Sequence, residues 1–368
     1  MAGRASRCQE SGRTVETASA SPVLRHTRAM PSQDPRPPTL EEVARRAGVG
    51  RGTASRVVNG ATQVSDSART KVQAAIDELG YVPNRAARAL VTRQTESVAL
   101  VVSESDERFF AEPFFAAIVR GVSTELATTR YRLLLSILQS PRDRVRIESF
   151  LTPQHVDGVL LLSLHGDDPL PNRLENRGLP AVLGGRPAGT EPSCYVDVDN
   201  EAGAALAVTH LLRSGRRHVA TVTGPQDMAA GVGRLAGWRR ALTDAGVGVD
   251  DELVVHGDFG EASGASGAHR LLERRPDIDA VFAASDPMAL GVLHTLAERG
   301  RSCPGDVAVV GFDDSPIARH SAPPLTTVHQ PVEAMGRQMV RLLVDRMAGG
   351  PGQQHVVLDP HLVVRASA

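Results

Sequence analysis

From Ser97 onward the chain alternates short, uninterrupted apolar runs with helical patterns, and nothing else in it restricts the possible folds so much. The runs are SVALVVS, RLLLSIL, DGVLLLSL, PAVLGG, HVATVTG, AVFAAS and VAVVGF. A strand with one wet face alternates apolar and polar residues, whereas a strand apolar throughout must be covered on both faces. Parallel sheets flanked by helices meet that requirement. About 270 residues are too many for one comfortable sheet, so the expectation is two α/β lobes with a cleft at the C-terminal ends of the strands. No run approaches the ~20 residues of a membrane span.

A different texture precedes this region. Leu40 to Asn59, LEEVARRAGVGRGTASRVVN, reads as two short helices joined by a tight turn. Thr39 and Glu42 form a T-x-x-E capping box. Leu40, Val43, Ala44 and Ala47 follow at i, i+3, i+4 and i+7, which gives the first helix one apolar stripe. Gly48 suits the left-handed backbone at a helix end, and Val49 plugs the angle between the helices. In the second helix Ala54, Val57 and Val58 point inward. Arg51, Gly52, Thr53, Ser55, Arg56 and Asn59 are left on the opposite side, a face of donors suited to the major groove. An ordinary helical hairpin with a solvated face is the other reading of these twenty residues. Ser65 then caps a third helix carrying Val72, Ala75, Ile76 and Leu79, and Gly80 closes it.

Three further motifs follow: Val64 to Thr70, Glu78 to Asn84 (ELGYVPN) and Asn84 to Leu90 (NRAARAL). With the helical pair they resemble the LacI/GalR family of transcriptional regulators. The resemblance implies an all-α helix-turn-helix head over residues 39–83, a hinge helix and linker over 84–95, and an α/β effector and dimerisation domain over 96–368. That last domain would be two-lobed and periplasmic-binding-protein-like, with doubly wound parallel sheets. It also implies that Asn84, Ala87 and Leu90 serve the hinge, with Leu90 wedged between base pairs in the minor groove. An apolar wedge of this kind kinks DNA, and Ala87 allows close approach. Carried over by position, the resemblance implies that Arg51 and Gly52 are the variable base-reading pair and Arg56 a guanine reader; Gly52 departs from the family's usual long polar side chain. Tyr195 to Asn200, Arg234 to Trp238, Val309 to Asp314 and Pro324 to Val328 extend the resemblance into the α/β region, with lobe crossings near Asp199 and Gln330.

The net charge of −1 does not by itself point to nucleic acid. Charge is local instead: Thr39 to Thr95 holds Arg45, Arg46, Arg51, Arg56, Arg69, Lys71, Arg85, Arg88 and Arg93 against Glu41, Glu42, Asp66, Asp77 and Glu78. Lys71 is the only lysine, so arginine richness reflects codon bias and the argument rests on spacing. Cys8, Cys194 and Cys303 show neither disulfide nor metal-ligand spacing and fit a reducing cytoplasm. Residues 1–38, rich in Ser, Arg and Pro without apolar periodicity or a signal-peptide core, read as disordered, and Met30 offers a later start.

The effector candidates come from strand ends. Phe109, Phe110, Phe114 and Phe115 crowd just after the first strand, in a chain with only 3% aromatics. They read either as rings that stack on a flat or sugar ligand, Phe110 and Phe114 above all, or as packing at a helix start. Phe259 lies beyond another strand. Arg234 matches the family's effector-binding arginine, and Asp313 ends a strand where a carboxylate can accept two hydroxyls. Ser285 follows a strand as a ligand candidate, while Asp286 before Pro287 has the look of a helix N-cap.

An enzyme is the competing class. Gly231 to Ala236 satisfies G-x-G-x-x-A, but Gly231 lies seven residues past the strand-end Gly224, too far for a pyrophosphate turn. Asp313 and Asp314, adjacent on extended chain, point opposite ways and cannot flank one bond. The expectation is therefore a cytoplasmic, sugar-responsive repressor without cofactor or metal. A purine or other nucleobase is the alternative effector class. Its partners would be a near-palindromic double-stranded operator, a small-molecule effector and a second copy of the chain. No membrane contact is expected. Tetramers in this family use an added C-terminal heptad helix; here the last apolar run is His361 to Val364, which implies a dimer.

Overall fold

A computed structural model describes residues 36–83, 94–186, 194–350 and 354–368. The chain divides into two compact units, residues 1–83 and 84–368. Asn84, Ala87 and Leu90 lie outside the described residues, as does the expected disordered segment up to residue 35.

Among its described residues the first unit holds three helices. α1 (Leu40–Ala47) starts at the capping box: the Glu42 amide donates to Thr39 Oγ1 at 3.3 Å and the Thr39 amide to Glu42 Oε2 at 2.7 Å. It ends at Gly48, whose φ of 66° is cheap only for a residue without a Cβ. α2 (Arg51–Val58) follows directly, and Ser65 caps α3 (Asp66–Leu79) by accepting from the Ala68 amide. Val43, Ala44, Ala47, Ala54, Val57, Val72 and Ala75 form the small core. Val58, expected to face inward, is only half-buried, because α2 is short and packs through Ala54 and Val57. An ion pair from Arg46 to Glu78 ties α1 to α3.

The second unit contains two six-stranded sheets. In chain order the strands are β1 (Ser97–Val102), β2 (Arg132–Ile137), β3 (Gly158–Leu162), β4 (Ala181–Gly184), β5 (Cys194–Val198), β6 (Val219–Thr223), β7 (Val254–His256), β8 (Ala280–Ala283), β9 (Ala308–Asp313), β10 (Thr326–His329), β11 (Gln354–Leu358) and β12 (His361–Val363). The first sheet has the order β11-β5-β4-β3-β1-β2, and all its pairs are parallel. The second has the order β12-β10-β9-β8-β6-β7 and is parallel except for β12 against β10. β1, β3, β8 and β9 are buried almost throughout, as strands covered by helices on both faces must be.

The chain passes between lobes three times. After β5 the helix Asn200–Arg213 enters the second lobe's core through Ala204, Ala207, Val208 and Leu211. After β10 the chain returns at Gln330, and the helix Val332–Met347 packs Met335, Met339 and Leu343 into the first lobe. The third passage, Asp359 and Pro360 between β11 and β12, left no mark in the sequence reading, since β11 alternates half-buried and exposed residues at a sheet edge. Helices Pro113–Leu126 and Val332–Met347 meet at Gly121 and Gly336. A Cβ on Gly336 would stand 2.6 Å from the Ile118 carbonyl oxygen, so contact this close needs glycine.

Candidate functional site

Two surfaces gather the sequence-derived candidates. On the first unit Arg51, Gly52, Arg56 and Asn59 are exposed along α2, and Thr53 and Ser55 are half-buried beside them. The Arg51 side chain, 73% exposed, sits with Nε 2.6 Å from Glu41 Oε1. Arg56 Nε donates to the Gly52 carbonyl at 3.2 Å, and Asn59 Nδ2 to Ser55 Oγ at 3.3 Å. A Cβ at Gly52 would meet nothing within 4 Å. These contacts are exposed and local, so they yield easily to a stronger acceptor such as a phosphate or a base edge.

The second surface is the cleft between the lobes. In each sheet the chain leaves the next-to-edge strand in both directions: β1 lies between β2 and β3, and β6 between β7 and β8. Loops at such switch points diverge and leave a crevice beyond the strand ends. The cavity there is lined by Arg108, Glu112, Phe114 and Ser163 from the first lobe, and by Met228, Arg234, Phe259, Ser285 and Asp313 from the second. Ser163, Phe259 and Asp313 have φ of 56°, 74° and 122°, left-handed values that a side chain adopts only where its surroundings force it.

Arg234 is the centre of the polar floor. It is 5% exposed; its Nε donates to Asn200 Oδ1 at 2.8 Å and Nη1 to the Ala284 carbonyl at 2.5 Å. Its Nη1 lies 3.6 Å from Asp313 Oδ1, and the Gln330 amide donates to that same oxygen at 2.5 Å. Arg234, Gln330 and the Asp286 backbone amide thus hold the Asp313 carboxylate at the cavity wall. Burial pushes the Asp313 carboxyl up to about 6 against the opposing pull of Arg234 and Gln330. Burial likewise lowers Arg234 from its ordinary value, with Asp313 and Asp197 countering.

Asn200 is held in turn. Its Nδ2 donates to the Val198 carbonyl at 2.9 Å and faces Asp197 Oδ1 at 3.3 Å, while Asp197 accepts from Arg186 Nε at 3.0 Å. Desolvation raises the Asp197 carboxyl, offset by the Val198 amide and Arg186. Phe259 lies beside Gly224, where any Cβ would enter its ring, and Arg234 is 5.3 Å from that ring's centroid.

Several expectations need correction. Phe110 is 78% exposed and absent from the cavity wall: it stacks edge-on against Phe109 at 5.1 Å and points to solvent. Of the phenylalanine cluster, Phe114 and Phe115 line the cleft, whereas Phe109 is buried in the first lobe's core. The helix cap is Ser285, not Asp286; its Oγ accepts from the Met288 amide at 3.2 Å and donates to the Phe259 carbonyl at 2.7 Å. Its hydroxyl is largely committed to holding the Phe259 backbone. Asp286 is the buried first residue of that helix, accepting from Thr327 Oγ1 at 2.5 Å and the Ser315 amide at 2.7 Å. Gly231 to Ala236 lies within the helix Ala229–Asp244, so its spacing serves packing: a Cβ at Gly233 would stand 3.1 Å from Asn200 Cβ.

The sequence reading missed Arg108, Glu112, Arg186, Asp197, Asn200 and Gln330 as site residues. Asp197 and Asn200 belong to the YVDVDN stretch already singled out, and their polarity inside an apolar strand-to-helix junction was the available signal. Glu112 gave none: burial pushes it up to about 7, opposed by the adjacent Arg108, and burial is a tertiary property.

The sequence pattern of bacterial regulatory proteins of the lacI family matches residues 39–84, and that of periplasmic binding protein-like domains matches residues 208–368. The HTH-type transcriptional regulator CelR of Thermobifida fusca is 55% identical over 335 residues, covering 90% of this chain and 98% of the relative. The solved complex of a transcriptional regulator CelR with cellobiose shares 52% identity, with a TM-score of 0.73 over 90% of this chain and all of that one. The lac repressor dimer bound to operator and an anti-inducer has a TM-score of 0.80 at 29% identity, covering 90% of this chain and 99% of that chain.

Proposed function

Because the chain belongs to the LacI family of bacterial transcriptional regulators, we propose that its cleft takes a sugar effector, a glucose disaccharide of the cellobiose type, and that occupancy controls operator affinity. The observation that carries the reading is the Arg234–Asp313 pair beside Phe259. The Asp313 carboxylate accepts sugar hydroxyls, the buried guanidinium donates to them, and the ring covers an apolar sugar face. The 55% identity to CelR and the cellobiose complex of a CelR protein support the choice of disaccharide.

On the first unit, Arg51, Thr53, Ser55, Arg56 and Asn59 are proposed to contact operator DNA. Arg56 reads a base edge, and Gly52 supplies closeness without a side chain. Asn84, Ala87 and Leu90 are proposed as the minor-groove hinge on the strength of the sequence motif alone. Since one helix-turn-helix reads few base pairs, two copies on a near-palindromic site are expected, as in the lac repressor dimer. In this reading the protein works by binding and release and catalyses nothing. Among the described residues no helix is long and apolar enough to cross a membrane.

Titration calorimetry against cellobiose, other disaccharides, glucose and nucleobases, paired with operator gel shifts, tests the proposal. Cellobiose should bind at micromolar to millimolar concentration and change operator affinity. Binding of a nucleobase with no response to any sugar would replace it.

A further inference from the structure

Glu104 follows β1 in the first lobe and is 8% exposed, yet it anchors two bridges that reach the other lobe. Arg108 Nη1 donates to its two carboxylate oxygens at 2.9 and 3.0 Å, and His165 Nε2 stands 3.4 Å from Oε1. Both partners then touch the second lobe. The Arg108 guanidinium sits over the Phe259 ring, 5.5 Å from its centroid. His165 Nδ1 lies 3.0 Å from Asp227 Oδ2, next to a backbone bond of 2.8 Å from the Gly166 amide to the Asp227 carbonyl.

We propose that Glu104 is a positioning residue of the effector cleft, coupling the contacts at Phe259 and Asp227 into one latch between the lobes. The physical reason is burial. A desolvated carboxylate is tolerated only with good partners in place, so Arg108 and His165 are held by the same charge. Arg108 has a second acceptor, Glu112 at 2.6 Å, which also lines the cleft, so without Glu104 the guanidinium is held from that side alone and is free to leave the Phe259 face. His165 without Glu104 keeps only Asp227, whose side chain is 56% exposed and holds little by itself. The ring covered by Arg108 is the one assigned above to the sugar, so the latch bears on effector binding and to that extent rests on the proposed function.

The test needs no ligand. Spin labels on Val145→Cys in the first lobe and Val249→Cys in the second, both exposed, with Cys8 and Cys303 replaced by serine, report the interlobe distance in the full chain. Glu104→Ala should lengthen and broaden the distances, and Asp227→Asn should do so in part. Combining the two should add nothing further, since both act through one latch. An unchanged distance in Glu104→Ala, or effects that simply add, overturns the proposal. If Glu104→Ala does not fold, Glu104→Gln keeps the side-chain shape and enters the same cycle. With cellobiose as probe, Glu104→Ala should bind about tenfold or more weakly; unaltered cellobiose binding also counts against the latch. A wild type that ignores cellobiose refutes the sugar reading instead, and the distance cycle then decides the latch by itself.

Discussion

The Arg234 guanidinium lies 3.7 Å above the centroid of the Phe312 ring, one residue before the Asp313 carboxylate with which it pairs. The stacking fixes the plane of the cation and the ion pair fixes its rotation, so the remaining donor edge is set before any ligand arrives. Preorganisation of this kind spares a ligand the entropy of ordering the site.

Arg234→Ala should therefore remove the effector response, with sugar affinity falling at least about a hundredfold, because a buried cation and its fork geometry vanish together. Operator binding without effector should persist. Calorimetry and gel shifts on the same preparation check both halves; a variant that still responds at wild-type sugar concentrations would make Arg234 purely structural.

Sugar binding should strengthen as pH rises through about 6, where the Asp313 carboxyl ionises and becomes a full hydroxyl acceptor. Stability should move the other way. A carboxyl held above its unfolded value of about 4 stabilises the fold most below that value and loses the contribution as pH climbs through about 6. Asp313→Asn should flatten both profiles. Because burial pushes the Glu112 carboxyl up to about 7, Glu112→Gln separates its share. A pH-independent wild type between about pH 5 and 8 would contradict the assignment.

On the first unit, Arg56→Ala should weaken specific operator binding by about 1 to 3 kcal/mol and relax preference at one base pair per half-site. Binding to a panel of single-base operator variants distinguishes this from a phosphate contact, which would weaken all sites alike.

For the proposed hinge motif, Leu90→Gly should leave sugar binding and dimerisation intact while most operator affinity and DNA bending are lost. A bend-sensitive gel shift with sedimentation measures this. Normal bending by the variant would remove Leu90 from the role of wedge.

Where helices Pro113–Leu126 and Val332–Met347 meet, Gly336→Val should destabilise the second unit by about 1 to 3 kcal/mol, because the contact leaves no room even for a methyl group. Urea unfolding followed by circular dichroism reads the loss.

The sequence alone determined the three head helices, with their caps at Thr39, Gly48, Ser65 and Gly80, and the apolar strands of two sheets. These are local properties: a cap satisfies amides three residues away, and an apolar run records how many of its faces are covered. It also brought forward Arg234, Phe259 and Asp313, which stand at strand ends or within a recognisable motif. Tertiary structure alone decided which rings reach the cleft. Phe110 and Phe114 are four residues apart but lie on different helices, Asp106–Ala111 and Pro113–Leu126, parted by the extended Glu112, so one is exposed and the other lines the site. It alone also brought Asn200 to Arg234 and Glu104 to His165, pairs separated by 34 and 61 residues. It set the ionisation of Asp313 and Glu112 as well, because desolvation follows from what packs around a carboxyl in space.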